Sequence, residues 1–398
     1  MSVSTGISMD IGDTEESSNR RSRRMDVKRI KNKLSRMLRS QPPEEQSTSD
    51  EPVVYLHIGM PKTGTTAIQR FLFENHSVLL DKQGCLYPDH SLGWHQHVSL
   101  VKAIVRPIFP KAIFNKAIAE IEEKDWLEGL KRQYVGKNCS KIIVSSEFLW
   151  ASPAMQTHLK FHGDTDENFA LIEEVVAKVK DTFSSFSKVN IIVYLRRQDT
   201  WLESFFNQQI KAGAMIPPED AVLEVKNYLL YAKNLKIWRK YFGAENVIVQ
   251  FYEQAVDIVG HFCEITGLDT SGFNVQRSDK SEVVNPSLSP RAIKIMRTAI
   301  EKQLDKDLLE RLRVVFMQTS AATMPGIRPQ YNVFSRDFHD KVLSKYEEDT
   351  MELVSMYPEA AIYLERTDAE EETPPAEVDA NRWEIQVELL LEELIEAK

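Results

Sequence analysis

Two stretches of the chain are apolar without alternation. Val53-Val54-Tyr55-Leu56 runs into His57-Ile58-Gly59, and the segment from Val189 to Leu195 reads VNIIVYL. Unbroken runs of this kind mark strands buried on both faces of a parallel sheet. Similar runs predict a set of strands at 53–59, 141–146, 188–195 and 246–251. Between them apolar residues recur at helical spacing. That spacing predicts helices over 64–75, 167–185, 199–212, 222–242, 254–266, 289–302 and 338–355. Strands alternating with helices predict the α/β class, in the form of a three-layer α/β/α domain with a central parallel sheet flanked by helices. Ligands of such sheets gather at the carboxyl ends of the strands. Gly59, Glu147, Arg196 and Phe251 fall at or near those ends.

The pattern changes at both termini. Residues 1–50 are rich in Ser, Arg, Glu and Gln and read as a largely disordered arm. Residues 52–366 carry the alternating pattern. A Glu/Pro linker occupies 367–380, and 381–398 reads as an amphipathic helix bearing Trp383, Ile385, Leu390, Leu391 and Leu394. Its apolar face requires cover, either by folding back on the domain or by pairing in a homodimer. Between Arg20 and Arg39 stand ten Lys or Arg residues and one acid, Asp26. Val27, Ile30, Leu34, Met37 and Leu38 share a helical face there. The segment fits either weak contact with an anionic membrane surface through residues 20–39 or a solvated basic tail.

Charge and cysteine usage narrow the function class. The chain of 398 residues has a formal net charge of -9, which argues against a nucleic-acid partner. Its three cysteines, Cys85, Cys139 and Cys263, are widely spaced and suggest neither a disulfide framework nor a zinc site. No segment approaches the ~20 apolar residues that span a bilayer, and the N-terminus lacks a secretory apolar region. A cytoplasmic location is expected.

The first strand ends in Gly59-Met60-Pro61-Lys62-Thr63-Gly64-Thr65-Thr66, and a helical pattern follows. Strand, glycine-bounded loop and helix make an anion-binding loop, in which backbone N–H groups and the positive helix end converge. A nucleoside-triphosphate loop places Lys directly after its second glycine. Here Thr65 holds that position and the lysine lies inside the loop at Lys62.

At these residues the chain resembles the sulfotransferases that use 3′-phosphoadenosine 5′-phosphosulfate (PAPS), in their bacterial style with a P-loop fold. The resemblance implies that Lys62 contacts the oxygen between phosphate and sulfate. It also implies that the loop Pro61-Lys62-Thr63-Gly64-Thr65-Thr66 binds the 5′-phosphate. The strand 188–195 ends in Arg196-Arg197, with Ser204 eight residues beyond Arg196. In that family an arginine and a serine so spaced bind the 3′-phosphate, and a guanidinium fork and a hydroxyl both suit a phosphate. Arg197 is the competing choice if the register differs by one. A later segment ending Phe251-Tyr252-Glu253 resembles the strand whose tyrosine lies near the adenine, which gives Tyr252 that role. The resemblance covers about 52–300.

Sulfuryl transfer by in-line displacement asks for positioning and for charge stabilisation on the leaving oxygen. The family needs no metal, and the segment ending Ser145-Ser146-Glu147 shows no aspartate of the magnesium-binding kind. The acceptor proton requires a base. His97, in the long segment after the first helix, has a suitable unperturbed pKa. Glu147 at a strand end would need its pKa raised by burial. The aromatic and basic residues between 90 and 140, including Trp94, Arg106, Lys111, Phe114, Lys116, Trp126, Lys131, Arg132 and Tyr134, suit a carbohydrate or glycan hydroxyl as acceptor, and equally an ordinary helical subdomain. A P-loop kinase acting on a nucleotide or sugar is one rival, countered by Thr65. A binding protein that kept the fold and lost catalysis is the other, countered by intact Lys62, Arg196 and Ser204.

Overall fold

The computed structural model describes residues 51–89, 95–110, 122–150, 165–213, 228–271, 288, 290–323 and 334–364. The basic arm, the 367–380 linker and the 381–398 helix lie outside the described residues, as do Trp94, Lys111, Phe114, Lys116 and Ser289.

Five parallel strands form the centre: β1 (Val53–Gly59), β2 (Cys85–Leu86), β3 (Lys141–Ser145), β4 (Val189–Leu195) and β5 (Val247–Phe251), in the order β2-β3-β1-β4-β5. The expected three-layer α/β/α fold is the fold observed. β1 pairs with β3 on one side, Leu56 opposite Val144, and with β4 on the other, Leu56 opposite Ile191. Between His57 and Gly59 the register with β4 shifts, just where the chain leaves the sheet.

Alternation along the strands sorts the core into two layers. Val54, Leu56, Ile58, Ile142, Val144, Ile191, Val193 and Leu195 face one layer, completed by α3 (Val98–Ile108), α5 (Thr165–Thr182), α6 (Gln198–Lys211) and α7 (Tyr231–Phe242). Ile143, Ile192 and Tyr194 face the other. There they meet Ile68, Phe71 and Leu72 of α1 (Thr65–Glu74), Leu79 of α2 (His76–Gln83) and Phe262 of α8 (Ile258–Thr266). Every residue of β4 is buried, which is why its sequence shows no polar alternation.

The other helices are α4 (Glu123–Tyr134), α9 (Pro290–Glu301), α10 (Lys306–Thr323), α11 (Arg336–Lys345) and α12 (Glu347–Met356). Among the described residues no helix is long and apolar enough to cross a membrane.

Three expectations are corrected. The helix expected at 254–266 starts only at Ile258, where Asp257 caps it by accepting from the Val259 N–H at 3.1 Å. The described part of the 222–242 helix starts at Tyr231, and residues 222–227 lie outside the described residues. The helix expected over 338–355 is two helices, parted at Tyr346, whose backbone leaves the helical region and whose side chain is buried. Beyond that break, Asp349 in the first turn of α12 accepts from the N–H groups of Ala232 (3.0 Å) and Lys233 (3.2 Å). Leu230 at the N-cap of α7 has no side chain able to do so, and a carboxylate from another helix takes its place. Asp349→Ala is expected to destabilise the fold by roughly 1–3 kcal/mol, because a buried and a half-buried donor lose their acceptor; urea denaturation measures it.

Candidate functional site

The loop after β1 is fastened by its carbonyls. The Thr63 hydroxyl, fully buried, donates to the Met60 carbonyl at 2.6 Å. The indole N–H of Trp201 donates to the Pro61 carbonyl at 2.8 Å. The Arg196 guanidinium donates to the Lys62 carbonyl at 3.1 Å. The Met60 N–H donates back to the Tyr194 carbonyl of β4 at 3.0 Å. α1 starts directly after Gly64, whose φ of 82° lies in the left-handed region and which offers no capping side chain. The leading N–H groups of a helix have no acceptor within it, and those of α1 are the amides that an anion at this strand end would meet.

Two backbone positions show why the loop has this sequence. A Cβ on Gly59 would lie 3.1 Å from the Cα of Glu147, at a φ of +112° that side chains rarely adopt. Glycine here lets the chain after β3 cross close over the end of β1. Lys62 itself has a φ of 69°, a left-handed conformation uncommon for lysine, and is the last of the three residues whose carbonyls are tied.

Glu147 and Lys62 share this space. The Thr65 hydroxyl donates to the Glu147 carboxylate at 2.5 Å. Burial raises the Glu147 pKa, while the Thr65 hydrogen bond and the positive charge of Lys62 pull it back. Burial lowers the Lys62 pKa, Glu147 raises it and Arg196 lowers it again. Thr66, by contrast, is exposed on the first turn of α1.

The two adjacent arginines go separate ways. Arg196 is half-buried, reaches the Lys62 carbonyl and stacks over the ring of Tyr252 with 5.1 Å to the centroid. Arg197 closes on the Asp199 carboxylate through two bonds of 2.7 and 2.8 Å. His339 of α11 holds the same carboxylate at 3.1 Å and Glu203 at 2.9 Å. Arg197 is therefore committed to a structural clamp, and Arg196 is the arginine at the loop. Ser204 lies half-buried two turns into α6.

His97 is corrected as a candidate base. It is fully buried: its Nδ1 accepts from the Ser145 N–H at 3.1 Å, and its Nε2 lies 3.1 Å from the Pro88 carbonyl. Tyr87 and Trp126 pack edge-on against its ring. Both nitrogens are engaged with main chain, so the histidine fastens the segment before α3 to the end of β3. Trp126 is likewise core, 5% exposed, and offers no platform for a sugar. His57 is buried in β1 beside the Ser145 hydroxyl at 2.8 Å, and burial pushes its pKa down to about 3, so it stays neutral.

Lys211, at the end of α6, was not singled out from the sequence. It is buried, and burial, the charge of Lys62 and that of Arg313 together push its pKa down to about 7. The signal for it is a lysine ten residues after Trp201 on the helix that follows Arg196.

No family model matches this chain. An uncharacterized protein of Archaeoglobus fulgidus is 32% identical over 129 residues, which make up 31% of this chain and 34% of that protein. The chain thus spans about a third of the length of that curated relative. Among solved structures, a sulfotransferase from Alicyclobacillus acidocaldarius is similar, with a TM-score of 0.41 and 12% identity over 77% of this chain and 96% of that one.

The clamp around Asp199 has a pH signature. The carboxylates of Asp199 and Glu203 hold the His339 pKa up to about 9, against burial, which lowers it. A raised folded-state pKa stabilises the protein fully below about 6.5, and the contribution is lost as pH rises through 9. Its full size is on the order of 3 kcal/mol. The melting temperature is expected to fall between pH 6.5 and 9 and to fall less in His339→Gln.

Proposed function

We propose that this chain transfers the sulfuryl group of PAPS to an acceptor hydroxyl. One observation carries the proposal: Arg196 reaches the main chain of Lys62 across 134 residues of sequence. The two elements that the resemblance ties to the 5′- and 3′-phosphates therefore meet at neighbouring strand ends. The residues suit such a donor. The amides at the head of α1, with the Thr66 hydroxyl, are complementary to a 5′-phosphate. Arg196, with Ser204 on the following helix, supplies a guanidinium and a hydroxyl for a 3′-phosphate. Tyr252, already under the Arg196 guanidinium, offers a ring face for a base.

PAPS, when bound, supplies a sulfuryl group attached to a good leaving group. Lys62 would neutralise the charge that grows on the phosphate oxygen as its bond to sulfur breaks. Glu147, whose raised pKa suits a base better than that of an exposed carboxylate, would take the proton of the acceptor hydroxyl as that oxygen bonds to sulfur and the phosphate oxygen leaves. Because Glu147 is also bonded to Thr65 and drawn to Lys62, loop and base are positioned together. For the acceptor we infer a carbohydrate hydroxyl, on the basic and aromatic composition of the segment after α1, though Trp126 is withdrawn from that set.

Calorimetric titration without added metal is expected to show binding of adenosine 3′,5′-bisphosphate and none of ATP; binding of ATP alone would replace this proposal with a kinase. Lys62→Ala is expected to cut transfer by about 10²–10³-fold with the fold intact by circular dichroism. Arg196→Ala is expected to weaken bisphosphate binding roughly tenfold or more. Arg197→Ala is expected to lower the melting temperature and leave the affinity for the bisphosphate within about twofold.

A further inference from the structure

The bond from the Thr65 hydroxyl to the Glu147 carboxylate joins two elements whose main chains are fixed. Thr65 is buried in the first turn of α1, directly after Gly64. Glu147 stands between two bonds that tie the chain after β3 to the end of β1. The Ser146 N–H donates to the His57 carbonyl at 2.9 Å, and the Trp150 N–H donates to the Ile58 carbonyl at 3.1 Å. The carboxylate is therefore an anion already seated at the head of α1, the positive end of that helix.

A threonine hydroxyl has one proton to donate. Here Glu147 takes it, at 2.5 Å. Yet Thr65 also belongs to the turn whose leading amides meet an anion at this strand end. A phosphate arriving there brings a second negative charge, and the two anions cannot both accept the proton of Thr65. The phosphate engages the α1 amides at the same moment, so the hydroxyl joins donors already aimed at one group. The rearrangement is small. A threonine in a helix has two χ1 settings open to it, and rotation about that bond re-aims the hydroxyl without moving the helix.

We propose that the Thr65 hydroxyl passes from Glu147 to the 5′-phosphate when PAPS binds, so that the carboxylate is released to act as base only once the donor is seated. The proposal rests on the PAPS and Glu147 assignments made above. Towards the acceptor, Thr65 is a positioning residue that acts through Glu147. A carboxylate that loses a hydrogen bond to its charged form holds a proton more readily, so the base strengthens at the step that needs it. The order of binding, donor before acceptor, becomes a property of the loop.

The test is proton uptake on binding adenosine 3′,5′-bisphosphate, measured by calorimetry of the full chain in buffers of different ionisation enthalpy between about pH 5 and 8. Glu147→Gln sets the baseline, because it keeps an acceptor for Thr65 and cannot titrate. Lys62 and Tyr228 are the other titratable groups that act with Glu147, and both stay in every variant. The Thr65 bond lowers the Glu147 pKa, so its loss on binding raises that pKa, and the unaltered protein takes up more protons than Glu147→Gln. The charge of the phosphate acts in the same direction with or without Thr65, so Thr65→Val isolates the bond. In Thr65→Val the excess uptake is expected to fall by about half or more, and Thr65→Ser is expected to restore it. Equal uptake in the unaltered protein and Thr65→Val, or none above the baseline, overturns the proposal. A crystal structure of the bisphosphate complex reads the same step directly. It is expected to show the Thr65 Oγ1 within about 3 Å of a 5′-phosphate oxygen and parted from Glu147; a hydroxyl still bonded to Glu147 overturns the proposal. If the unaltered protein does not bind the bisphosphate, the PAPS assignment itself fails, and with it this proposal.

Discussion

The head of the sheet depends on a loop whose carbonyls are tied back. The carbonyls of Met60, Pro61 and Lys62 are taken, one after another, by a hydroxyl within the loop, an indole from α6 and a guanidinium at the end of β4. Each bond is a modest net contribution in itself. Together they fix three successive peptide planes, and with them the direction from which α1 starts. Two of the three donors come from the β4–α6 unit, so the loop after β1 is shaped by a strand that follows it in sequence by more than a hundred residues. Lys62 holds a left-handed backbone conformation in the midst of these bonds, which is the setting in which such strain persists.

Electrostatics at the same place follow from burial. Lys62 and Glu147 are each penalised for being charged away from water, and each offsets part of the other's penalty. Removing one partner leaves the other charged and uncompensated, which costs more than the pair contributes. The arrangement around Arg197 is the opposite case. There Asp199 meets a guanidinium, a histidine and its own helix start, and every strong charge has a fixed counterpart. Adjacent arginines differ because successive side chains leaving a strand point to opposite sides. One is led to the loop, and the other to the packing of α6 against α11.

The sequence discloses elements in proportion to how long and how uniformly they are buried. β1 and β4 are each seven residues and almost wholly buried, and their apolar runs mark them to within a residue. β2 is two residues, Cys85 and Leu86, held by pairing with Lys141 and Ile142. No periodicity exists over two residues, so only its partners reveal it. The break at Tyr346 hides because the apolar spacing of α11 continues into α12, and the backbone departs from helix at a residue with ordinary helix propensity. The loop after β1 and Arg196 are legible because their signals are local: a lysine between two glycines, an arginine closing an apolar run. The choice between His97 and Glu147 is not local. Whether a side chain ends among main-chain groups, as His97 does, or beside Lys62, as Glu147 does, is set by the tertiary fold.

The strand order puts a topological switch point between β1 and β4. From β1, at the centre, the chain moves to one side through β2 and β3, then crosses to β4 and β5 on the other. The helix after β1 packs its Ile68, Phe71 and Leu72 on one face of the sheet, whereas the helix after β4 packs its Trp201 and Leu202 on the opposite face. Connections leaving two neighbouring strands for opposite faces must diverge, and a parallel sheet opens a crevice at that point. Lys62 leaves β1 toward it, and Arg196 leaves β4 toward it. The chain after β3 contributes Glu147 from the other side of β1, where the absent side chain of Gly59 gives it room to pass. Three strand ends thus bring a lysine, an arginine and a carboxylate together at one switch point, and α6 reaches the same place through the Trp201 indole.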